Sequence, residues 1–316
     1  MSPDGDAMGA VLAFSHFLWR KGKNAQPVVP NIFPDFLKWM PGVERVRIYE
    51  KHENEVAPLV AAADLIICLD FNAPDRLQGL QKPVTDSQSP KIMIDHHLDP
   101  VDFCDWVVSR QEMSSTCELL YRILVQLEGL EPMTYEEAVC LYTGMMTDTG
   151  CFSYNSNRSD IYYIIGRLLT KGIDKDKIYR NVFFNYSAER FRLMGYMLYV
   201  KLEYFSEYHA SLMTLTREEQ KRFSHKKGDT EGFVNIPLQI GKSRLSVFLR
   251  EDTERHNIRV SLRSVDDFPC NRMAAEFFNG GGHLNASGGE LSCTMDEAVQ
   301  IVRKALKKYT SLLTDR

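Results

Sequence analysis

Lys91-Ile92-Met93-Ile94-Asp95-His96-His97 is an apolar run of strand length that stops on an aspartate and two histidines. Buried strands that end on polar side chains belong to open parallel sheets, which bind ligands beyond the carboxyl ends of their strands. Two histidines and an aspartate closing a buried strand are costly to bury without partners. Four further acids stand at the ends of apolar or small-residue segments: Asp4 and Asp6 in Asp4-Gly5-Asp6, Asp70 after Leu65-Ile66-Ile67-Cys68-Leu69, and Asp148 in Thr147-Asp148-Thr149-Gly150. Hard carboxylate oxygens with imidazole nitrogen form a donor set for a divalent cation. Singly, each acid has a plain alternative: Asp6 as a helix N-cap, Asp4 as a turn residue, Asp70 as a cap, Asp148 as an Asx-turn.

Outward from that strand, apolar runs alternate with amphipathic stretches. Gly9–Lys21 reads as helix, Arg45–Glu50 as strand, 55–63 as helix and 65–70 as strand, the rhythm of βα units. Trp106–Val108 follows, then helices over 115–127 and 135–146. Helices are expected over 159–170, 175–184 and 188–200. Beyond about residue 205 the pattern changes to period-two strands at 210–215, 245–250 and 258–262, a helix over 272–278, a glycine turn and a closing helix over 296–313. The expected fold class is α/β: an N-terminal parallel-sheet domain (1–186), a helical linker (187–208) and a smaller α/β domain (209–316) across a cleft. Phe183, Phe184, Tyr186, Phe191 and Tyr199 are expected to serve core and hinge packing.

Composition narrows the functional classes. The chain has 316 residues, 44% hydrophobic and 25% charged, ordinary values for a folded soluble protein. A formal charge of −4 gives no basic field for duplex nucleic acid, whose binding rests on neutralising many phosphates. The seven cysteines are scattered and never spaced Cys-x-x-Cys, against both a disulfide framework and a thiolate zinc site, which suggests a reducing cytoplasm. No stretch approaches the roughly 18–20 apolar residues of a membrane span, so no membrane partner is expected.

The ordered set Pro3-Asp4-Gly5-Asp6-Ala7-Met8-Gly9, Leu69-Asp70, Ile94-Asp95-His96-His97, Ser114-Ser115-Thr116 and Gly144-Met145-Met146-Thr147-Asp148-Thr149-Gly150 resembles the DHH phosphoesterase superfamily. Gly280-Gly281-Gly282-His283-Leu284-Asn285-Ala286-Ser287-Gly288 is similar to the signature of the DHHA1 domain. Within the superfamily the arrangement looks like the compact branch of nanoRNA phosphodiesterases and 3′-phosphoadenosine-5′-phosphate (pAp) phosphatases. Some relatives of that branch are labelled exopolyphosphatase-related.

That resemblance implies two divalent cations, Mn²⁺ before Mg²⁺, with Asp70 bridging them. Asp6, His96 and Asp148 would complete one site and Asp4 would serve the other. Such cations, about 3.5–4 Å apart, would activate water for in-line attack on a phosphate. His97 would contact the scissile phosphate or the attacking water, and Asp95 would orient an imidazole. In the second domain the resemblance places Arg263, Gly280, Gly281, Gly282, His283 and Asn285 against substrate. Arg76 and Ser115 are candidate substrate contacts with turn or capping alternatives.

The chain departs from the family at one point. The motif carries a histidine four residues before the first aspartate of Asp4-Gly5-Asp6, a position upstream of Met1. The expectation is a native start further upstream, with a strand ending in that histidine; in the chain as written the site served by Asp4 should be weak or empty. The expected partner is a short single-stranded oligonucleotide or small nucleotide, with a homodimer allowed. Two other readings stay open: a pyrophosphatase or exopolyphosphatase, and a nucleotide-binding protein with impaired catalysis.

Overall fold

The computed structural model describes residues 3–184, 186–226 and 228–314. The chain divides into two compact units, 1–185 and 186–316.

In the first unit, α1 (Gly5–Arg20) is followed by a short parallel pair, β1 (Val28–Val29) and β2 (Arg47–Ile48). Next come α2 (Tyr49–Ala61), β3 (Ile66–Leu69), α3 (Gln81–Asp86), β4 (Lys91–Asp95) and β5 (Trp106–Ser109). Strands β3, β4 and β5 form a parallel sheet in that order, Ile66 opposite Lys91 and Ile92 opposite Trp106. Helices α4 (Thr116–Glu128), α5 (Tyr135–Asp148), α6 (Ser159–Leu169) and α7 (Lys175–Phe183) complete the unit.

Period-two alternation sends successive strand residues to opposite faces. Ile67, Leu69, Ile92 and Ile94 join the core shared with Met8, Leu12, Leu120, Leu124, Leu141 and Met145 of α1, α4 and α5. Cys68 and Met93 point the other way, into a core with Val56 and Val60 of α2, Leu80 and Val84. Both faces are therefore covered, which is why these strands read as continuous apolar runs. Helices α1 and α5 meet across small residues: a Cβ on Gly9 would come 2.7 Å from the Cys140 carbonyl oxygen and 3.1 Å from Gly144 Cα.

Two sequence expectations change here. Arg45–Glu50 yields only the two-residue strand Arg47–Ile48, because Tyr49 turns into α2 and buries its ring in the second core. Asp148 is the last residue of α5 rather than part of a turn after it.

The second unit begins with α8 (Ala188–Tyr196) and a π-turn over Met197–Lys201, continuing through β6 (Glu203–Phe205), β7 (Ala210–Leu215), α9 (Arg217–Arg222), β8 (Leu245–Glu251) and β9 (Ile258–Ser264). Then follow α10 (Cys270–Phe277), β10 (Gly281–His283), β11 (Ala286–Leu291), α11 (Met295–Lys308) and α12 (Thr310–Thr314). Its six strands lie in the order β10-β11-β9-β8-β7-β6, parallel at β7–β8 and antiparallel elsewhere. One face, with Leu212, Val247, Leu249 and Leu262, packs against α10 and α11, while Met213, Leu215 and Phe248 on the other receive Leu193 and Met197. The segment read as a linker thus contributes its apolar side to the second unit's core.

The expected packing of aromatic residues holds only in part. Phe183 lies against the first core, but Phe184 is 70% exposed, Phe191 54% and Tyr199 93%.

Candidate metal centre

Four elements end at one place in the first unit. Asp4 caps α1, its Oδ1 accepting the N–H groups of Asp6 (3.1 Å) and Ala7 (3.0 Å). Asp6, one residue into the helix, is 1% exposed and turns its carboxylate inward. Each of its oxygens meets the N-terminus of α4: Oδ2 accepts from Thr116 N–H at 2.6 Å and Oδ1 from Cys117 N–H at 2.9 Å. These are among the orphan donors of a helix start, and a carboxylate is their natural partner.

Asp70 follows β3 with φ of +64°, a left-handed conformation uncommon for a residue with a Cβ. Its N–H still closes the ladder on the Ile94 carbonyl at 3.1 Å, so the left-handed turn falls immediately beyond the strand. Its Oδ1 accepts the Thr116 hydroxyl at 2.9 Å. Asp148 arrives from the far end of α5.

His96 Nε2 stands among all three, 3.9 Å from Asp6 Oδ2, 3.9 Å from Asp70 Oδ1 and 3.4 Å from Asp148 Oδ2. Its Nδ1 lies 3.3 Å from the Met113 carbonyl oxygen. A carbonyl can only accept, so Nδ1 donates there, and Nε2 is the nitrogen turned toward the carboxylates. His97 is held by Asp95, which is fully buried: Oδ1 accepts from His97 Nδ1 at 2.7 Å and Oδ2 from His97 N–H at 3.0 Å. Two overlapping groups result, Asp6–His96–Asp148 and Asp70–His96–His97, in each of which the candidate ligand atoms lie within 4.8 Å of one another.

The electrostatics fit a cation. Burial first, then the charges of Asp6 and Asp4, push the carboxyls of Asp70 and Asp148 well above the ordinary carboxylate range. Among the described residues, the basic side chains within 4.0 Å of the carboxylates of Asp6, Asp70 and Asp148 are the imidazoles of His96 and His97. Crowded carboxylates with one well-aimed imidazole suit a divalent cation, which would offset their repulsion. Asp4 belongs to neither group and spends one oxygen on its cap.

Other expected contacts take structural places. Ser115 is fully buried and caps α4, its hydroxyl oxygen accepting from Glu118 N–H at 3.0 Å. Arg76 lies on the short 3-10 segment Pro74–Leu80 after β3 and is half-buried. In the second unit the three glycines are not a bare turn: Gly281 to His283 form the outermost strand, Gly282 pairing with Ser287 and His283 with Ala286. The row continues to Arg263, opposite Ala286 on β9. Gly281, Gly282 and His283 are exposed, and Gly282 has φ of +140°. A Cβ on Gly280 would come 1.8 Å from the Gly288 carbonyl oxygen, so this glycine is required by close approach. Asn285 donates its amide to Ser264 Oγ (2.9 Å) and the Asp266 carbonyl (3.1 Å), holding the hairpin together.

Thr116 escaped the candidate set although it touches two of the acids, through N–H to Asp6 and hydroxyl to Asp70. Its place in Ser114-Ser115-Thr116, ahead of an amphipathic helix, was the available signal. Gly144 stands one turn before Asp148 on α5. A Cβ there would sit 2.2 Å from Cys117 Sγ and 2.9 Å from Asp6 Oδ1, so its lack of a side chain makes room for the carboxylate.

Residues 1–145 match the DHH family, N-terminal domain, and residues 213–310 the DHHA1 domain. The crystal structure of an exopolyphosphatase-related protein from Bacteroides fragilis is 54% identical, with a TM-score of 0.96 over 99% of this chain and 92% of that one. The bifunctional oligoribonuclease and PAP phosphatase NrnA of Thermus thermophilus is 29% identical over 98% of this chain and 87% of its own length. Cyclic-di-AMP phosphodiesterase PdeA of Listeria monocytogenes is 24% identical, covering 97% of this chain but 46% of that protein. With both domain signatures matched in order, and with the acids and histidines of the first meeting at one point, the chain belongs to the DHH family and carries a DHHA1 domain.

Proposed function

We propose that this protein hydrolyses phosphoester bonds in short oligonucleotides and small nucleotides such as pAp, using divalent cations, Mn²⁺ foremost, held by Asp6, Asp70, His96 and Asp148. The observation that carries this reading is the approach of His96 Nε2 to within 3.9 Å of three carboxylates from three separate elements. The names of the relatives from Thermus and Listeria supply the substrate class. A donor set mixing imidazole with carboxylates favours Mn²⁺ over Mg²⁺. Asp4 would contribute to a second, weaker cation.

When bound, such cations supply Lewis acidity that makes water nucleophilic at neutral pH and neutralises charge building on phosphoryl oxygens. The protein's own part is to hold the ligands still. Thr116 and Cys117 fix Asp6, Thr116 fixes Asp70, and the Met113 carbonyl fixes the ring of His96. Asp95 orients the ring of His97 through Nδ1, and His97 would contact the attacking water or the scissile phosphate. In the second unit, Arg263, His283 and the exposed backbone of Gly281 and Gly282 would hold a substrate phosphate, with Gly280 supplying the close turn and Asn285 supporting the hairpin. A guanidinium and an edge strand rich in glycine suit an oxyanion.

The test is hydrolysis with Mn²⁺ against pAp, di- to pentanucleotides, a long single strand, pyrophosphate and polyphosphate, each repeated with chelator. Cleavage restricted to pAp and the short oligonucleotides, abolished by chelator, is expected. Equal rates on short and long strands would count against the substrate class. Polyphosphate is the second reading, favoured by the 54% identity to the exopolyphosphatase-related protein of Bacteroides fragilis; rapid turnover of polyphosphate with none of pAp would establish it. The seven free cysteines fit a cytoplasmic location, and no helix among the described residues is long and apolar enough to cross a membrane.

A further inference from the structure

The carbonyl that orients His96 belongs to Met113, in a loop gripped on both sides. Arg158, just before α6, donates from one guanidinium nitrogen to the Glu112 carbonyl at 2.6 Å and from another to Glu118 Oε1. Glu118 is fully buried, and its other oxygen accepts both N–H (2.8 Å) and Oγ–H (2.7 Å) of Ser114. The peptides before and after Met113 are thus tied to one Arg158–Glu118 pair. Arg122 also donates to Glu118 Oε1, at 3.0 and 2.6 Å, and Asp160 faces both arginines, so the carboxylate is charge-compensated in its buried position. Beyond Ser114 the same backbone becomes the first turn of α4, which holds Asp6 and Asp70 through Thr116 and Cys117.

We propose that Arg158 is a positioning residue: by clamping Glu112 and Glu118 it holds the Met113 carbonyl where it sets the tautomer and direction of His96. The inference rests on the reading of His96 as a cation ligand. The physical need is specific. An imidazole binds a cation through the nitrogen without hydrogen, and its other nitrogen must have an acceptor that keeps it protonated. A loop carbonyl performs that task only if the loop is stiff. Arginine suits it because one planar group reaches two acceptors in different directions, whereas a lysine ammonium on its flexible stem reaches one well.

The experiment compares wild type, Arg158→Met and Arg158→Lys with three readouts. In the metal-free protein, long-range ¹H–¹⁵N spectra report the His96 tautomer; Mn²⁺ titration calorimetry reports affinity; a thermal melt reports folding. The Arg158 side chain is 36% exposed, so its replacement leaves no buried cavity. Expected are a single Nδ1–H tautomer in wild type, a mixture in Arg158→Met with Mn²⁺ affinity lower by about 10-fold or more, and an intermediate state in Arg158→Lys. An unchanged tautomer and affinity in Arg158→Met, with or without a lower melting temperature, overturns the proposal. If wild type takes up no cation, the metal reading falls, and the tautomer comparison still decides the clamp.

Discussion

Asp148→Asn should make the metal-free protein more stable and the metal-loaded protein less so. Candidate ligand atoms of Asp6 and Asp148 lie within 4.8 Å of each other. Two unit charges at that distance repel by about 3.5 kcal/mol at an effective dielectric of about 20. Solvent reaches Asp148, whose side chain is 28% exposed against 1% for Asp6, and shared protonation relieves part of the repulsion, so a net gain of about 1–3 kcal/mol is expected at pH 7.5. For a unit of this size that is roughly 3–10 °C in melting temperature. The pH dependence has a definite sign. The Asp148 carboxyl titrates well above its ordinary value in the folded state, raised first by burial and then by Asp6 and Asp4. Its protonated form is the one the fold favours, so its contribution is complete below the unfolded pKa of about 3.9 and is lost as pH rises through the raised folded value. The advantage of Asn should therefore be largest at neutral pH and shrink toward pH 4. Mn²⁺ should reverse the order, because binding stabilises by mass action only the protein that binds it. Differential scanning calorimetry of both proteins in chelator and in Mn²⁺, at pH 4.5 and 7.5, measures all of this. A metal-free Asp148→Asn protein that melts at or below wild type at pH 7.5, or a gap indifferent to pH, refutes the reasoning.

Thr116→Val keeps the N–H bond to Asp6 but removes the hydroxyl at 2.9 Å from Asp70; calorimetric Mn²⁺ affinity should fall by about 1.5–3 kcal/mol, the worth of a hydrogen bond to a charged group. Gly144→Ala places a methyl 2.2 Å from Cys117 Sγ and 2.9 Å from Asp6 Oδ1 and should cost about 1–3 kcal/mol by denaturant unfolding, and adding Cys117→Ala should recover only the part of that loss due to the sulfur. Gly280→Ala drives a methyl into the Gly288 carbonyl and should raise KM for nucleotide substrates, while Mn²⁺ affinity of the first unit, measured by titration, stays as in wild type.

The strands were legible where apolar residues alternate or run unbroken between polar ends. Ala210–Leu215 has the bounds expected of it, and Lys91–Asp95 ends on the aspartate where the polar residues begin. Arg45–Glu50 misled because Tyr49 satisfies its burial in a helix as well as it would in a strand, a choice made by the partner surface of Val56, Val60 and Leu80. Phe184, Phe191 and Tyr199 misled for the opposite reason: an aromatic ring is apolar wherever it stands, and whether a neighbour covers it is not written in its own segment. Asp95, His96 and His97 stood out because buried polar clusters are rare and costly. Glu118 and Arg158 did not, since a glutamate in a helix and an arginine before one are ordinary until they meet 40 residues apart.

The order of acids, histidines and glycines along the chain is enough to identify the family, because cation chemistry restricts which side chains can stand at the ends of buried elements. Which oxygen faces which nitrogen is settled by tertiary contact alone. Asp6 turns inward because the N-terminus of a helix more than a hundred residues away presents two N–H groups to it, and Gly144 leaves the space. Such contacts depend on the path of the backbone through space, and no local pattern of residue types encodes that path.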